Sequence, residues 1–162
     1  MTDNCIPYID GEEEKSESEP SKIWGVIKNK KLILATEPAI TAQCIRVPCS
    51  DGHLAACFAR FKQETMPSAE QIISDWRNYR GRAQELNLPS APKQFLHYFP
   101  ENNRPQTKLD RTIEKGMGIS IGRLRPDSQY DYKFVCLSHN TIRGAAGGAI
   151  LLAELLCAEG YL

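Results

Sequence analysis

The sequence predicts an α+β domain, a mixed and largely antiparallel sheet covered by helices on one face. Three observations lead there. First, His53–Lys62 alternates, with Leu54, Ala56 and Phe58 on one side, and the runs Gly116–Leu124 and Tyr130–Leu137 read as paired strands joined by Pro126-Asp127. Second, apolar residues fall at helical spacing over Ser68–Leu86, and a helical run closes the chain over Thr141–Glu159. Third, 162 residues with 41% hydrophobic side chains make one domain's length with enough apolar material for a core.

Each element has a local reason. Glu12–Lys15 carries acidic residues suited to a helix N-terminus, where the macrodipole favours them. Pro20 follows inside that helix. It removes one backbone bond at a cost of ~3 kcal/mol, so a kink or a shortened helix is expected. Lys31–Ala35 and Ala39–Val47 read as strands, and Pro48-Cys49-Ser50-Asp51-Gly52 favours a chain reversal into His53–Lys62. Ser68 and Gln71 form a capping box ahead of Ile72, Ile73, Trp76 and Tyr79, and Gly81 weakens the far end of that helix. Residues 87–111 are rich in Pro and Asn, with aromatic anchors at Phe95, Tyr98 and Phe99. They read as an ordered excursion of the kind found at interfaces and sites, with a solvated loop as the alternative. The last helix opens on Arg143-Gly144-Ala145-Ala146-Gly147-Gly148-Ala149, whose tiny side chains let another backbone or a flat ligand come close.

Composition excludes several classes. Twenty basic residues balance twenty acidic ones, which gives no reason to expect nucleic acid or an anionic membrane as partner. The polar, acidic opening is no signal peptide, and the longest apolar stretch, Ala145–Cys157, is too short to span a bilayer and contains Glu154. None of the six cysteines forms a CxxC pair. They read as reduced thiols of a cytoplasmic protein, mostly small core residues, with no metal site expected.

The segment Cys44–His53, CIRVPCSDGH, holds the chemistry. A hairpin there would bring Arg46 and His53 to one end of the sheet, a planar guanidinium for a carboxylate beside an imidazole for proton transfer. On spacing alone an exposed arginine beside a turn histidine is the commoner arrangement. Glu12 and Lys15 share a helix face, either as groups for an amine and an anion or as a plain surface ion pair. Asn140 is placed to cap the last helix or to face a cofactor. His97 lies among loop aromatics and reads as structural. Cys5 follows Asn4, but Ile6-Pro7-Tyr8-Ile9 behind it is not the small, hydroxylated start of a nucleophile helix. A catalytic thiolate is not expected there. The dinucleotide fingerprint GxGxxG is absent after any early strand.

Taken in order, DNCIPYIDGEEEK, CIRVPCSDGH, LPSAPKQFLHYFPENNRPQTKLDR, GMGISIGRLR and YDYKFVCLSHNTIRGAAGGAILLAELL resemble the fungal and archaeal branch of aspartate-semialdehyde dehydrogenase, over nearly the whole chain. The resemblance implies the C-terminal part of that enzyme, with a glyceraldehyde-3-phosphate-dehydrogenase-like C-terminal fold. It assigns residues 1–140 to substrate binding and dimerisation, and 141–162 to a terminal helix that packs on a nucleotide-binding domain. It implies reductive dephosphorylation of aspartyl phosphate to aspartate semialdehyde with NADPH, or the reverse with phosphate, early in lysine, methionine and threonine biosynthesis. His53 corresponds to the acid–base residue, Arg46 to the substrate-carboxylate arginine, and Glu12 to the acidic residue near the substrate amine. Lys15 corresponds to the phosphate-binding lysine, and Asn140 and Gly144 face the nicotinamide of NADP.

The family's N-terminal nucleotide-binding domain, with its glycine-rich loop and Asn-Cys nucleophile, has no counterpart in these segments. The isolated chain is therefore expected to be inactive. The apolar face of the last helix, including Ile150, Leu151 and Leu155, is expected to lack its partner. A homodimer or larger homo-oligomer is implied, with a nucleotide-binding domain in trans as a further partner. Two alternatives stay open: a non-catalytic dimerisation module pairing with another chain, and part of a malonyl-CoA reductase. Glu12 argues against the second, because that substrate has no amine.

Overall fold

Carboxylates organise the first part of the chain. The computed structural model describes residues 3–62, 64 and 66–162, and the chain falls into two units, residues 1–49 and 50–162. In the first unit helix α1 spans Glu12–Ile23, opens after Gly11 and carries three glutamates in its first turn. Pro20 does not shorten it. The helix continues one turn past the proline, Trp24 N donates to Pro20 O at 3.0 Å, and Ala35 N donates to Ser21 O at 2.9 Å, so the last turn is tied from both sides. Glu13 and Glu17, one turn apart, face the segment that follows. Glu13 Oε1 accepts from Cys44 N (2.8 Å) and Gln43 Nε2 (3.0 Å), and Glu17 Oε1 accepts from Ala42 N (2.8 Å).

Those bonds overturn the strand expected over Ala39–Val47. The amides of Ala42 and Cys44 are spent on carboxylates, so no ladder runs through the segment. Only Arg46 pairs as a strand would, in an isolated antiparallel bridge to Ile6. Ahead of it, β1 (Val26–Lys28) and β2 (Lys31–Ile33) form a hairpin closed by Asn29 and Lys30, both at positive φ as a type I′ turn requires. The expected strand Lys31–Ala35 is thus present in shortened form.

The second unit holds a four-stranded sheet in the order β3-β6-β5-β4. Strands β3 (His53–Ala59), β5 (Ile119–Pro126) and β6 (Tyr132–Ser138) pair antiparallel, and β4 (Leu96–Phe99) joins β5 in parallel. The predicted mixed, largely antiparallel sheet is therefore present, and the 87–111 excursion supplies one of its edges. Register assigns the faces: His53, Ala55 and Cys57 pair with Ser138, Cys136 and Phe134, while Leu54 and Ala56 pair with Leu137 and Val135.

Helix α2 (Ala69–Asn78) covers the first face, with Trp76 stacked 5.2 Å from Phe134 and 5.9 Å from Tyr98. Ser68 Oγ caps it by accepting from Gln71 N at 3.2 Å, but the Gln71 side chain turns to Asp75, so the capping box is half made. The chain extends at Tyr79 and restarts as α3 (Arg82–Glu85) behind Gly81, so the one helix expected over Ser68–Leu86 is two.

The second face is covered at one end by the excursion. Helix α4 (Thr107–Asp110) lies there, and Ser120 Oγ donates to Asp110 O at 3.1 Å. Asp110 is 2% exposed and is gripped by the Arg104 guanidinium and by Gln106 N (2.6 Å). Toward β3 the same face is open, and Leu54 and Phe58 are each more than half exposed.

The chain closes with a widened turn, Ile142–Ala146, leading into α5 (Gly147–Ala158). Gly144 N, Ala146 N and Gly147 N bond five residues back, to His139, Thr141 and Ile142. The small residues expected to admit a ligand serve packing at Gly147, where a Cβ would sit 2.6 Å from Met117 Sδ. Leu151 and Leu155 do not lie bare as expected. They pack on Leu88 and Met117, and Ile150 and Leu152 are the exposed pair. Cysteines fill the core less than expected: Cys5 and Cys157 are exposed and the other four only half-buried, all as free thiols. Among the described residues no helix is long and apolar enough to cross a membrane.

Candidate active site

Six side chains were expected to carry the chemistry. Glu12, Lys15 and Arg46 lie in the first unit, and His53, Asn140 and Gly144 in the second. Glu12 and Lys15 sit on one face of α1 with Lys15 Nζ 3.8 Å from Glu12 Oε1, both side chains well exposed. Arg46 is fixed through its backbone. Its N–H and C=O both bond Ile6, at 2.9 and 3.0 Å, which leaves the guanidinium exposed at the end of the bridge. The hairpin expected to join Arg46 and His53 is not formed, because the strand partner of Arg46 is Ile6 and that of His53 is Ser138.

His53 opens β3 and is exposed. The turn ahead of it is held from two directions. Arg111 donates to Ser50 Oγ at 2.9 Å and to Asp51 O at 3.4 Å, and Gly52 N donates to Asn140 Oδ1 at 2.9 Å. Gly52 itself has φ 101°, a conformation costly for any residue with a Cβ. The chain bends at Ser50 and Asp51 but closes no hairpin there, and the fastening of this bend by Arg111 has no local sequence signal.

Asn140 does not cap the last helix. That role falls to His139, which is buried and accepts Ile142 N on Nδ1 at 3.3 Å. Asn140 uses its carbonyl oxygen on Gly52, which leaves its amide N–H groups to donate elsewhere. Gly144 is exposed, and a Cβ there would meet only His139 O at 3.7 Å. His97 is structural, with Nε2 3.0 Å from Gln94 O and 3.8 Å from Glu114.

Arg143, Cys57 and Cys136 are among the perturbed titrating groups outside these six. Burial pulls the Arg143 guanidinium below its ordinary value, against the pull of Tyr79. Cys57 and Cys136 lie with sulfurs 3.9 Å apart on neighbouring strands. The shared hydrogen bond lowers Cys57 and, together with burial, raises Cys136. Among the described residues no group of three or more His, Cys, Asp or Glu side chains is arranged to hold a metal ion.

The second unit is a mixed sheet with a histidine at the mouth of an edge strand and an asparagine tied to the same turn. The comparisons give the lineage. The chain belongs to the family of semialdehyde dehydrogenase dimerisation domains, whose sequence profile matches residues 1–143.

Among curated relatives, the chain is 45% identical over 167 residues to aspartate-semialdehyde dehydrogenase of Aspergillus fumigatus. It is 44% identical over 166 residues to that of Saccharomyces cerevisiae. Each match covers 100% of this chain and 46% of the relative. The Archaeoglobus fulgidus enzyme is 40% identical over 159 residues, covering 98% of this chain and 44% of the relative. The chain thus spans about half the length of the relatives it matches.

The structure superposes on aspartate-semialdehyde dehydrogenase with NADP from Candida albicans with a TM-score of 0.91 and 42% identity, covering 100% of this chain and 46% of that one. A likeness to aspartate-semialdehyde dehydrogenase II of Vibrio cholerae, at TM-score 0.71 and 24% identity over 98% of this chain and 42% of that one, shows the shared fold.

Proposed function

We propose that the chain is the substrate-binding and dimerisation part of an NADP-dependent aspartate-semialdehyde dehydrogenase, working in the cytoplasm on aspartyl phosphate in the route to lysine, methionine and threonine. The observation that carries this reading is the agreement along all 162 residues with an NADP-bound enzyme of that name, at TM-score 0.91 and 42% identity.

The charges suit the substrate. Aspartyl phosphate offers an amine, a carboxylate and an acyl phosphate, and Glu12, Arg46 and Lys15 complement them in that order. Glu12 also favours this substrate over malonyl-CoA, which has no amine. His53 moves a proton to or from the reacting thiol and the tetrahedral oxygen. That thiol comes from a nucleotide-binding domain, in the same polypeptide or in trans. Asn140 and Gly144 receive the nicotinamide end of NADP, which supplies or accepts hydride when bound. The open half of the sheet, with Leu54 and Phe58 exposed, joins the 87–111 excursion as the dimer surface. Ile150 on α5 meets the nucleotide-binding domain.

The test is phosphate- and aspartate-semialdehyde-dependent NADPH formation. The 162 residues alone are expected to be silent. Mixing them with the nucleotide-binding portion of a fungal relative should produce turnover, and His53→Asn should remove it by about 10²–10⁴-fold. Turnover by the pure chain overturns the proposal. A stable mixed complex without turnover favours a non-catalytic pairing module.

A further inference from the structure

An open pocket of about 330 Å³ lies between the α2–α3 corner and α5, and none of the six expected site residues lines it. Its walls are apolar on one side, with Leu151, Leu152 and Leu155 on α5 and Phe95 opposite. Its charges are Arg82 on the rim and Arg143. The Arg143 guanidinium carbon stands 4.4 Å over the Phe95 ring, half-buried.

What distinguishes Arg143 is how its neighbour is paired. Arg82, also on the rim, is engaged by Glu159 at 2.5 Å and Glu85 at 3.3 Å. Among the described residues Arg143 has no carboxylate or carbonyl partner. Stacking on Phe95 occupies one face of the guanidinium and leaves its N–H edge free. Burial draws its pKa down, as expected of a cation short of compensating charge.

The geometry points to a binding site for a small organic carboxylate with a flat or branched apolar body. The carboxylate takes the planar fork of Arg143 in bidentate fashion, and the body lies on Phe95 and the leucines of α5. The Tyr79 side chain, its ring 5.9 Å from that of Phe95, closes one wall. The volume lies in the range of small-ligand pockets, and the lining combines apolar walls with a few polar side chains, Arg143 among them. Inorganic phosphate is the poorer fit, because it gains nothing from the leucines and loses hydration against them.

The experiment titrates the 162-residue chain with sodium phenylacetate, phenylacetamide and inorganic phosphate, followed by chemical shifts of the Leu152 methyls and by calorimetry. Phenylacetate is expected to bind saturably, about tenfold or more tighter than the isosteric amide, with phosphate not competing. Arg143→Gln should weaken phenylacetate about tenfold and leave the amide unchanged. Leu152→Glu sets a second carboxylate at an exposed position of the wall. It should give the same loss without disturbing the Arg143–Phe95 stack, so it decides the matter if Arg143→Gln does not fold. Equal affinity for acid and amide, unchanged binding in either variant, or no saturable phenylacetate binding overturns the site.

Discussion

Replacing Asn140 by alanine removes the acceptor of Gly52 N–H and nothing else of comparable size from the turn that carries His53. The bond is 2.9 Å long and part-buried. A neutral bond of this kind contributes roughly 1 kcal/mol net, and leaving a shielded N–H without acceptor raises the loss to about 1–2 kcal/mol. A cooperative unit of the size of residues 50–162 then loses about 4–8 °C in Tm for each kcal/mol. Locally, the Gly52 amide should exchange with solvent about 5–30-fold faster, since 1.4 kcal/mol is a factor of ten. Asn140→Asp keeps an acceptor oxygen and should stay within about 0.5 kcal/mol of the parent. Amide exchange by NMR and thermal melts of the three proteins are the assay. If Asn140 only faces the nicotinamide, Asn140→Ala changes the apparent KM for NADP in the reconstituted enzyme and leaves Gly52 exchange and Tm as they were. That result refutes the reasoning.

Three more predictions rest on other contacts. Burial raises the Asp110 carboxyl, but the Arg104 guanidinium and the Gln106 amide outweigh it and hold the group below the ordinary carboxylate range. With the folded pKa depressed, its stabilisation is present above the unfolded value of about 4 and lost as pH falls through the folded one. Asp110→Asn should therefore cost roughly 2–3 kcal/mol at neutral pH and flatten the acid limb of a denaturation series run below about pH 4. Phe58→Asp places a charge on the open half of the sheet and should shift a dimer toward monomer in sedimentation while leaving the fold intact, because Phe58 is more than half exposed. On the proposed role of Glu12 at the substrate amine, Glu12→Gln should raise the KM for aspartate semialdehyde about tenfold in the reconstituted enzyme, with kcat less affected.

Much of the second unit was legible because its signals are local. The alternation from His53 and the Asp51-Gly52 turn lie within a few residues of the structure they specify. The stretch 39–47 was not legible, because its amides are claimed by Glu13 and Glu17, 25 to 31 residues away, and no window of alternation records that. Asn140 misled for the same reason. Its local chemistry suits a cap, yet its acceptor is used 88 residues back, and buried His139 takes the helix end. Arg111 carried no motif, and Arg143 was read only as the head of a small-residue turn. The roles of Glu12, Lys15 and Arg46 came from resemblance, since spacing alone describes a surface ion pair and an exposed arginine equally well.

The widened turn at Ile142–Ala146 has a rotational consequence. Arg143 precedes Leu151 and Leu155 by eight and twelve residues. In an uninterrupted α-helix those separations leave the leucines about 80–120° around the axis from Arg143. One extra residue absorbed in the five-back bonding pattern retards the phase by about 100°, which brings all three to within about 20° of one line. Guanidinium and leucines share a wall because the helix slips a residue before it settles. Deleting one residue between 142 and 146 restores an even winding, and swings either the arginine or the leucines out of that wall.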